Sequence, residues 1–391
     1  MTTTYVADVT VFDGRRVRRR QGVLIDGDRI GWVGPHARAP RRFADADETI
    51  EGAGRTLTPG LIDCHVHLSF DGSADFAAEA RELDPAVGAI KGVVNARRHL
   101  AAGVTTVRDL GGLGITRLAR AVERGVVAGP RILAAGRALT VTGGHGHGLG
   151  LAREVDGPGE LRRAVREECR EGAAVIKLMA TGGVLTPGID ATSTAFTDEE
   201  LRAAVEEAHA RGRRVAAHAI GAAGVERAVR AGVDSVEHCV QVTDAAVREM
   251  VERGTFRSPT LSALLGIVSN ADRVPAYAVE KAAAILDDAR RTHRRCLRAG
   301  IRHVCGTDAG TPFNPHGNAP RELVAMVEWG MRSLDALAAA TANGAELLGL
   351  PEIGTIEEGK LADLVLYEGD PVEDISVVLR PRAVWRAVPE N

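Results

Sequence analysis

The sequence predicts an α/β fold: a (β/α)8 TIM-like barrel with a small β-sandwich domain formed from both chain ends. Three observations lead to this prediction. Eight short apolar segments alternate with helical segments over about 290 residues, which is typical of a (β/α)8 barrel. Both chain ends show strand-like alternation without intervening helices. Histidine, lysine and aspartate residues recur where the apolar segments of the middle region end.

Both chain ends are predicted to be β-structure. Segments that alternate apolar and polar residues lie at 5–12, 22–26, 29–33, 49–57, 359–369 and 383–388. The sequences Asp13-Gly14 and Asp26-Gly27 supply turn residues near the first of these segments. Because the two ends of a domain often lie close together, we expect residues 1–56 and 352–391 to form one composite β-sandwich domain. Residues 57–351 would then form the barrel.

The middle region alternates predicted strands with predicted helices. The predicted strands are residues 60–66, 103–108, 131–136, 174–179, 214–219, 235–239, 255–260 and 303–308. The predicted helices are residues 85–101, 115–127, 159–171, 197–211, 221–231, 243–253, 276–299 and 333–348. A doubly wound open sheet is the alternative architecture. No glycine-rich phosphate-binding sequence opens a helix after the first strand, which favours the barrel.

The amino-acid composition limits the kinds of molecule that the protein is expected to bind. The chain has 391 residues, 45% of them hydrophobic, so it can bury a large core. A net charge of -3 and an aromatic content of 3% favour neither a nucleic-acid nor a membrane partner. The five cysteines are dispersed and imply no disulfide framework. With no signal peptide and no long apolar segment, a cytoplasmic location is expected.

The sequence TPGLIDCHVH at residues 58–67 contains the first candidate metal ligands. On a strand, the i, i+2 spacing of His65 and His67 turns both imidazoles to one face, about 6–7 Å apart along the chain. Imidazole nitrogens suit zinc. A strand end with two unrelated histidines would look the same. The pair therefore indicates a metal site only if other strands place ligand-type residues at the same end of the sheet.

Ligand-type residues do recur at the carboxyl ends of other predicted strands, and in a barrel these ends converge on one mouth. They are Lys177, His218, His238 and Asp308, in strands four, five, six and eight. Each alone has a structural explanation, such as a hydrogen-bonded core histidine or a capping aspartate. Six such residues from five strands do not fit a coincidence. His303 has the opposite strand parity to Asp308, so we exclude it from the set.

Lys177 lies inside the apolar run VIKLM, where burial of a charged amine is costly. The structural explanation is an ion-paired lysine or one whose amine reaches solvent. The chemical alternative is that the neutral amine captures CO2 and becomes a carbamate, a carboxylate on a long stem that can bridge two cations. Four histidines, one aspartate and this carboxylate would form a two-metal site whose bridging hydroxide is nucleophilic near neutral pH.

Over nearly its full length, the chain resembles the amidohydrolase superfamily. The resemblance rests on TPGLIDCHVH, VIKLMATGGV, AAHAIG, SVEHC, GTDAGTPFNPHGN and the tail GTIEEGKLADLVL. It is strongest to the imidazolonepropionase-like branch, which includes Xaa-Pro dipeptidase-like, Xaa-Arg/Lys carboxypeptidase-like and ochratoxin-hydrolysing enzymes. The resemblance implies a binuclear centre of two divalent ions, with zinc expected. The implied ligands are His65, His67 and Asp308 for one ion, His218 and His238 for the other, and a CO2-derived carbamate on Lys177 as the bridge.

The resemblance also implies catalytic roles. Asp308 would take a proton from the attacking water and pass it to the leaving amine. His145, in the glycine-rich loop after strand three, would stabilise the negative charge that develops on the substrate carbonyl. A turn-rich loop with incidental histidines is the alternative for this stretch. Further substrate contacts are expected from His147, Ile220, Gly182 and Gly183.

One position departs from the carboxypeptidase-like relatives. They carry His-Ala-Tyr-Gly after strand five, where the tyrosine helps to bind the α-carboxylate of the substrate. This chain has His218-Ala219-Ile220-Gly221, and isoleucine cannot donate a hydrogen bond. Either the substrate lacks a free α-carboxylate and is more apolar, or the carboxylate binds elsewhere. Arg257, near strand seven, is a candidate anion partner or else a solvated arginine.

The sequence thus predicts a binuclear metal-dependent amidohydrolase that cleaves the C–N bond of a peptide, an N-acyl amino acid or a related amide. Its expected partner is a small-molecule amide, and a homo-oligomer is expected because related enzymes often assemble. One alternative is a mononuclear deaminase or cyclic amidine hydrolase. Those relatives lack the strand-four lysine and carry HxxE, where this chain has Gly221. The other is an inactive barrel acting as a binding protein, which the complete ligand set disfavours.

Overall fold

The computed structural model describes residues 2–388, which form an α/β fold. The strands are β1 (Thr3–Phe12), β2 (Val17–Asp26), β3 (Arg29–Pro35), β4 (Glu48–Glu51), β5 (Arg55–Pro59), β6 (Leu61–Val66), β7 (Val104–Asp109), β8 (Arg131–Ala134), β9 (Ala138–Thr140), β10 (Ala152–Glu154), β11 (Val175–Met179), β12 (Arg214–Ala219), β13 (Ser235–His238), β14 (Phe256–Ser258), β15 (Leu364–Glu368) and β16 (Pro381–Trp385). The α-helices are α1 (Phe76–Arg81), α2 (Pro85–Ala101), α3 (Ile115–Glu123), α4 (Gly157–Arg170), α5 (Asp198–His209), α6 (Ala222–Ala231), α7 (Asp244–Arg253), α8 (Leu261–Val268), α9 (Ala276–Arg298), α10 (Ala319–Glu328), α11 (Ser333–Ala339) and α12 (Ala342–Leu348). None of the helices in this part of the chain combines the length and apolar character needed to span a bilayer.

Strands from both chain ends join in one seven-stranded sheet. Its order is β16-β15-β5-β1-β2-β3, with β4 also paired to β1. Strand β15 lies antiparallel to β5, with Leu364 opposite Pro59 and Glu368 opposite Arg55. Side chains from all seven strands pack into one apolar cluster. The seven strands therefore share one apolar core, and the sandwich arrangement of this sheet stays a prediction.

The parallel strands of the middle region form two hydrogen-bonded sheets, β6-β7-β8 and β10-β9-β11-β12-β13-β14. The predicted third strand, residues 131–136, is observed as β8 over Arg131–Ala134, and the short strand β9 follows beyond the predicted end. Strand β8 pairs with β7 and β9 pairs with β11, so the chain itself joins the two sheets. Between β8 and β9, Gly136 has a φ of 74°, a left-handed conformation that interrupts a regular strand.

The predicted eighth strand, residues 303–308, is not a regular strand. Its backbone nevertheless bonds to both neighbours. The Val304 amide donates to the carbonyl of Arg257 in β14 at 3.0 Å, and the Asp308 amide donates to the carbonyl of His65 in β6 at 2.7 Å. These bonds join the remaining edges of the two sheets, so the parallel strands surround a common axis. Asp308 has a φ of 60°, which a regular strand does not accommodate.

Most predicted helices are present, and α2 has the predicted bounds. The predicted helix 333–348 is two helices, α11 and α12. Helices α1, α8 and α10 were not predicted. Helix α8 has the sequence LSALLGIV, in which the apolar residues do not follow a single helical face. It lies over the mouth of the barrel, where its surroundings bury most of its surface, so its sequence lacks the amphipathic pattern by which helices are recognised.

Candidate metal centre and active-site cavity

A cavity of about 70 Å³ lies at the carboxyl ends of the barrel strands. All six predicted metal ligands line it, together with His145 and Ile220. The remaining wall is almost entirely apolar and comes from the loops after β9, β11 and β13 and from α1, α8 and α9. The structure thus places a polar base and apolar sides in one cavity, as is typical of small-molecule sites.

His65 and His67 lie at the end of β6, and their side chains are almost completely buried. The Nδ1 atom of His65 lies 2.9 Å from Oε2 of Glu237, and Nδ1 of His67 lies 2.8 Å from the carbonyl oxygen of Gly111. Both acceptors lack a proton to donate, so each neutral ring donates from Nδ1. In the neutral form of each ring, Nε2 therefore carries the lone pair, and both Nε2 atoms lie beside the Asp308 carboxylate.

Hydrogen bonds also fix the ring orientations of His218 and His238. Nε2 of His218 lies 2.7 Å from the carbonyl oxygen of Gly182, which leaves Nδ1 with the lone pair. Nδ1 of His238 lies 2.6 Å from the hydroxyl oxygen of Thr260, whose proton goes to the carbonyl of Pro259. Nε2 of His238 is thus the free nitrogen. The two ring centroids are 4.6 Å apart.

Asp308 supplies the carboxylate of the cluster. Its Oδ1 atom lies 3.3 Å from Nε2 of His65 and 3.0 Å from Nε2 of His67. Although burial opposes it, the three nearby imidazoles hold the pKa of Asp308 far below its usual range. Burial lowers the pKa of His65 to about 4, and the nearby Lys177 ammonium adds to this effect. For His67, Asp308 outweighs the effect of burial and raises the pKa.

The backbone at the cavity mouth is left-handed at several non-glycine residues. His238 has a φ of 66°, Cys239 of 49°, Thr260 of 49° and Asp308 of 60°. Such conformations cost on the order of 1 kcal/mol or more each and persist where the surrounding structure enforces them. They end the strands sharply, so the side chains of His238 and Asp308 turn into the cavity instead of following the alternation of a strand.

Lys177, in β11, is 1% exposed, and no atom of the described residues accepts a hydrogen bond from its Nζ atom. Burial lowers the pKa of this amine to about 8, against the opposing effect of Glu237 and Asp308. A buried amine without a partner is rare because it forgoes every hydrogen bond that water would supply. This side chain is therefore suited to chemical modification or to contact with a further group.

The cluster fits divalent cations. Ligand atoms of His65, His238 and Asp308 lie within 4.8 Å of one another. Each of the four histidines presents one lone-pair nitrogen, and its other nitrogen is fixed by a hydrogen bond, which is the usual arrangement of metal-binding histidines. Imidazole and carboxylate together suit zinc and other divalent transition metals. The carbamate form of Lys177 would add a second anionic ligand.

Two charged residues beneath His65 were missed by sequence reasoning. Glu237 and Arg108 are both essentially inaccessible to solvent. The Arg108 guanidinium donates to Oε1 of Glu237 at 2.9 Å and to the carbonyl of Cys64 at 2.6 Å. Despite burial, Arg108 and His65 hold the pKa of Glu237 far below its usual range. Like Lys177, both are charged residues inside predicted strands, here residues 103–108 and 235–239, and that was the signal that could have revealed them.

His145 has the opposite hydrogen-bonding arrangement to the metal-site histidines. Its Nδ1 atom lies 2.7 Å from the hydroxyl oxygen of Thr186, which also accepts from the Gly146 amide at 3.0 Å. The hydroxyl proton can then be donated to Nδ1, which leaves the proton of the neutral ring on Nε2. Burial lowers the pKa of His145 to about 3. The ring lies 4.5 Å from that of His218, so a neutral N–H donor faces the cluster.

A family model of the amidohydrolases matches residues 56–387, which include every residue of this cavity. The chain belongs to the amidohydrolase family. The ochratoxinase of Aspergillus niger is 32% identical over 414 residues, covering 98% of this chain and 84% of the relative. A solved Xaa-Pro dipeptidase with methionine bound in its active site matches with a TM-score of 0.91 and 34% identity, covering 100% of both chains. A prolidase complexed with N-methylphosphonate-L-proline matches with a TM-score of 0.87 and 32% identity, covering 99% of both chains.

These comparisons confirm the predicted superfamily and the predicted α/β barrel class. They also show that this amidohydrolase is an enzyme, a hydrolase that acts on carbon–nitrogen bonds. The metal ligands stay predictions, supported by the geometry of the cluster.

Three of the predicted substrate contacts are placed differently in the amidohydrolase. His147 is exposed and lies outside the cavity, because the loop turns outward between Gly146 and Gly148, both at positive φ. Gly182 and Gly183 are buried and are not among the residues that line the cavity. The Gly182 carbonyl orients His218 instead. Ile220 does line the cavity and is 3% exposed.

Arg257 is neither solvated nor an anion partner in the cavity of this amidohydrolase. It is fully buried, and its guanidinium lies 3.0 Å from Nδ1 of His293 and 3.4 Å from Nε2 of His303. It also donates to the carbonyls of His238 and Cys239 at 3.1 and 3.3 Å. Arg257 thus supports the left-handed segment that carries His238. The exclusion of His303 agrees with its position beside Arg257, outside the cavity lining.

Replacing Gly183 with alanine is expected to lower kcat by about 10- to 100-fold without unfolding the amidohydrolase. A Cβ atom at Gly183 would lie 2.3 Å from Cε1 of His145, so the ring must move. The matched control is Gly159→Ala, at which no heavy atom lies within 4 Å of the added carbon. Steady-state kinetics with circular dichroism would test this, and a Gly183→Ala enzyme as active as Gly159→Ala would contradict it.

Proposed function

We propose that this amidohydrolase cleaves the C–N bond of an amide in a peptide, an N-acyl amino acid or a related compound. It would do so with two divalent metal ions, zinc being expected. His65, His67 and Asp308 would hold one ion, His218 and His238 the other, and the carbamate form of Lys177 would bridge them. When bound, the two ions supply Lewis-acid activation of the substrate carbonyl and of the attacking water.

The observation that carries this proposal is the isolation of Lys177 among the predicted ligands. An ammonium at this position would be buried with no hydrogen-bond acceptor and would repel cations from the four imidazoles. The neutral Nζ can instead attack the carbon of CO2, forming an N–C bond and releasing one proton. The product is an anion whose two oxygens replace the missing partner. The lowered pKa of Lys177, about 8, makes the neutral amine available near neutral pH.

The side chains around the cluster support defined roles in hydrolysis. The Asp308 carboxylate can accept a proton from the attacking water and return it to the nitrogen of the departing amine. The Nε2–H of His145 can donate to the carbonyl oxygen as negative charge develops on it. The apolar wall around Ile220 excludes water from the amide and favours an apolar group on the substrate. The ochratoxinase and Xaa-Pro dipeptidase relatives support an amide as the scissile group.

The mononuclear deaminase alternative is disfavoured at Gly221. Its relatives carry a glutamate there, but a Cβ atom on Gly221 would lie 2.1 Å from the carbonyl oxygen of Thr192. The backbone would have to move before any side chain could be added. Lys177, which that alternative does not use, lies among the cavity residues.

The direct test is a screen of N-acyl amino acids, dipeptides and aryl amides with zinc-loaded protein, scored by amine release. Lys177→Ala protein prepared in the same way is the control for contaminating hydrolases. The proposal expects release from at least one amide by the wild type and none above background by the variant. Ammonia release from a cyclic amidine, with no amide cleaved, would overturn it.

Removing divalent ions with a chelator is expected to abolish hydrolysis, and zinc with bicarbonate is expected to restore it. Carbamate formation needs the neutral amine, and burial lowers the pKa of Lys177 to about 8. At fixed dissolved CO2, reactivation should therefore be roughly 10-fold faster at about pH 9 than at about pH 7. Activity assays on samples taken at set times after zinc addition measure this reactivation rate. Equal rates at both pH values would contradict a lysine-dependent step.

A further inference from the structure

Helix α8 forms one apolar side of the active-site cavity and begins next to a predicted metal ligand. Its residues Ala263, Leu264 and Ile267 line the cavity. Thr260, the residue before its first turn, has a φ of 49°, and the Thr260 hydroxyl oxygen lies 2.6 Å from Nδ1 of His238. The position of this first turn therefore affects both the shape of the cavity and the orientation of the His238 ring.

The first turn of α8 is not capped by the side chain of its own N-cap residue, Thr260. An N-cap threonine usually accepts a hydrogen bond from one of the first backbone amides of its helix, which have no acceptor within the helix. The Thr260 hydroxyl instead donates to the carbonyl of Pro259 at 2.9 Å and accepts from Nδ1 of His238. The first amides of α8 therefore need an acceptor from another part of the chain.

Glu322, in helix α10, supplies that acceptor. Its Oε1 atom accepts from the Leu261 amide at 2.8 Å, and its Oε2 atom accepts from the amide and from the hydroxyl of Ser262, each at 2.7 Å. Glu322 is completely buried, and burial raises the pKa of its carboxyl group to about 7 although these three hydrogen bonds oppose the shift. A carboxyl group buried in this way is costly unless it is hydrogen-bonded. Within residues 2–388, all of its side-chain hydrogen bonds go to the first turn of α8.

We propose that Glu322 is a positioning residue, which sets the orientation of His238 and the place of the apolar wall through the first turn of α8. Glu322 does not line the cavity, so it acts only through the residues that it holds. Thr260 directly precedes the two residues that donate to Glu322, and its hydroxyl is the partner of His238. The effect on the reaction rests on the proposed amide hydrolysis, whereas the effects on the helix and on metal affinity do not.

The test uses Glu322→Gln, which keeps the size of the side chain but replaces one acceptor oxygen with an NH2 donor that faces the donors of the first turn. Glu328→Gln, at an exposed position of the same helix, is the matched control. Hydrogen–deuterium exchange of residues 261–268 should be about 10-fold faster in Glu322→Gln than in the control. Zinc affinity, measured by competition with a coloured chelator, should fall about 10-fold, because the orientation of His238 is less well fixed.

Kinetics on two amides measure the effect on the apolar wall. One substrate carries a large apolar acyl group, and the other carries an acetyl group in its place. The ratio of their kcat/KM values is expected to fall about 10-fold in Glu322→Gln, because only the large group reaches α8. A change in metal occupancy lowers both values alike and leaves the ratio unchanged. The ratio therefore reports the position of the wall, and zinc affinity reports the orientation of His238.

Ser262→Ala is a milder second variant, which decides the question if Glu322→Gln does not fold. It removes one of the three hydrogen bonds and should change each measurement in the same direction by about 3-fold, whereas Ser269→Ala, just after α8, should change none. Variants that are less stable but match their controls in zinc affinity and in the kcat/KM ratio would overturn the inference, because Glu322 would then only stabilise the fold. Faster exchange and weaker zinc binding in the variants, with no amide cleaved by the wild type, would uphold the positioning of His238 and overturn the proposed hydrolysis.

Discussion

Replacing Lys177 with alanine is expected to lower kcat/KM for the best amide substrate by at least about 1,000-fold. The change removes the amine that would become the bridging anion, while the four histidines and Asp308 keep their hydrogen bonds. Two adjacent cations without an anion between them repel each other. Metal content should therefore fall from about two ions to about one or fewer per chain, as measured by mass spectrometry of dialysed protein.

Lys360→Ala is the matched control, because Lys360 lies in the small sheet domain and contacts Glu357 there. It should keep both metal content and activity. A small carboxylic acid added to Lys177→Ala is expected to restore part of both, because it can occupy the space of the missing carbamate. A Lys177→Ala enzyme with two bound ions and unchanged activity would refute the bridging role.

Replacing Arg108 with methionine is expected to lower the free energy of unfolding by about 3–5 kcal/mol. The Glu237 carboxylate would lose the guanidinium that lies 2.9 Å from it, in a place where neither group reaches solvent. Its remaining side-chain partners would be His65 and Ser235. Urea denaturation monitored by circular dichroism measures the loss. The structural change should spread to His65, so metal affinity should fall as well.

Arg332→Met is the comparison for Arg108→Met, because Arg332 pairs with Asp335 at the exposed surface and its loss should change the stability little. The double variant Arg108→Met, Glu237→Gln removes both buried charges and should regain part of the stability lost by the single variant. If Arg108→Met unfolds at the same urea concentration as Arg332→Met, the buried pair does not carry the stability assigned to it.

The candidate ligands could be predicted because a barrel brings the carboxyl ends of its strands together. His65, Lys177 and His218 needed only a strand assignment, and the cavity contains all three. The eighth strand was harder, because residues 303–308 do not form a regular strand and Asp308 adopts a left-handed backbone. His303 was excluded as a ligand because a regular strand would point it away from Asp308, and this segment is not a regular strand. His303 nevertheless lies outside the cavity lining.

The rest of the site depends on contacts that no local pattern specifies. Helix α8 contributes a cavity wall, but its uniformly apolar sequence has no helical period. His145 and His147 each lie between glycines in the same loop, yet His147 turns outward because the glycines on both sides of it have positive φ angles. Glu322 lies 61 residues along the chain from Leu261, so only the tertiary structure reveals their hydrogen bond. Loop paths and long-range pairs of this kind decide which substrate a barrel accepts.

The sheet shared by both chain ends has a consequence for biosynthesis. Strand β5 pairs with β15, and the apolar cluster of the sheet includes Ile356 and Leu366 as well as Val6 and Val23. On the ribosome, the first strands emerge some 300 residues before their partners, so one edge of β5 stays unpaired while the barrel is synthesised. We expect a nascent chain stalled before β15 to aggregate or to bind chaperones at this edge. The aggregation or the chaperone binding should cease once β15 emerges, because β15 then pairs with the open edge of β5.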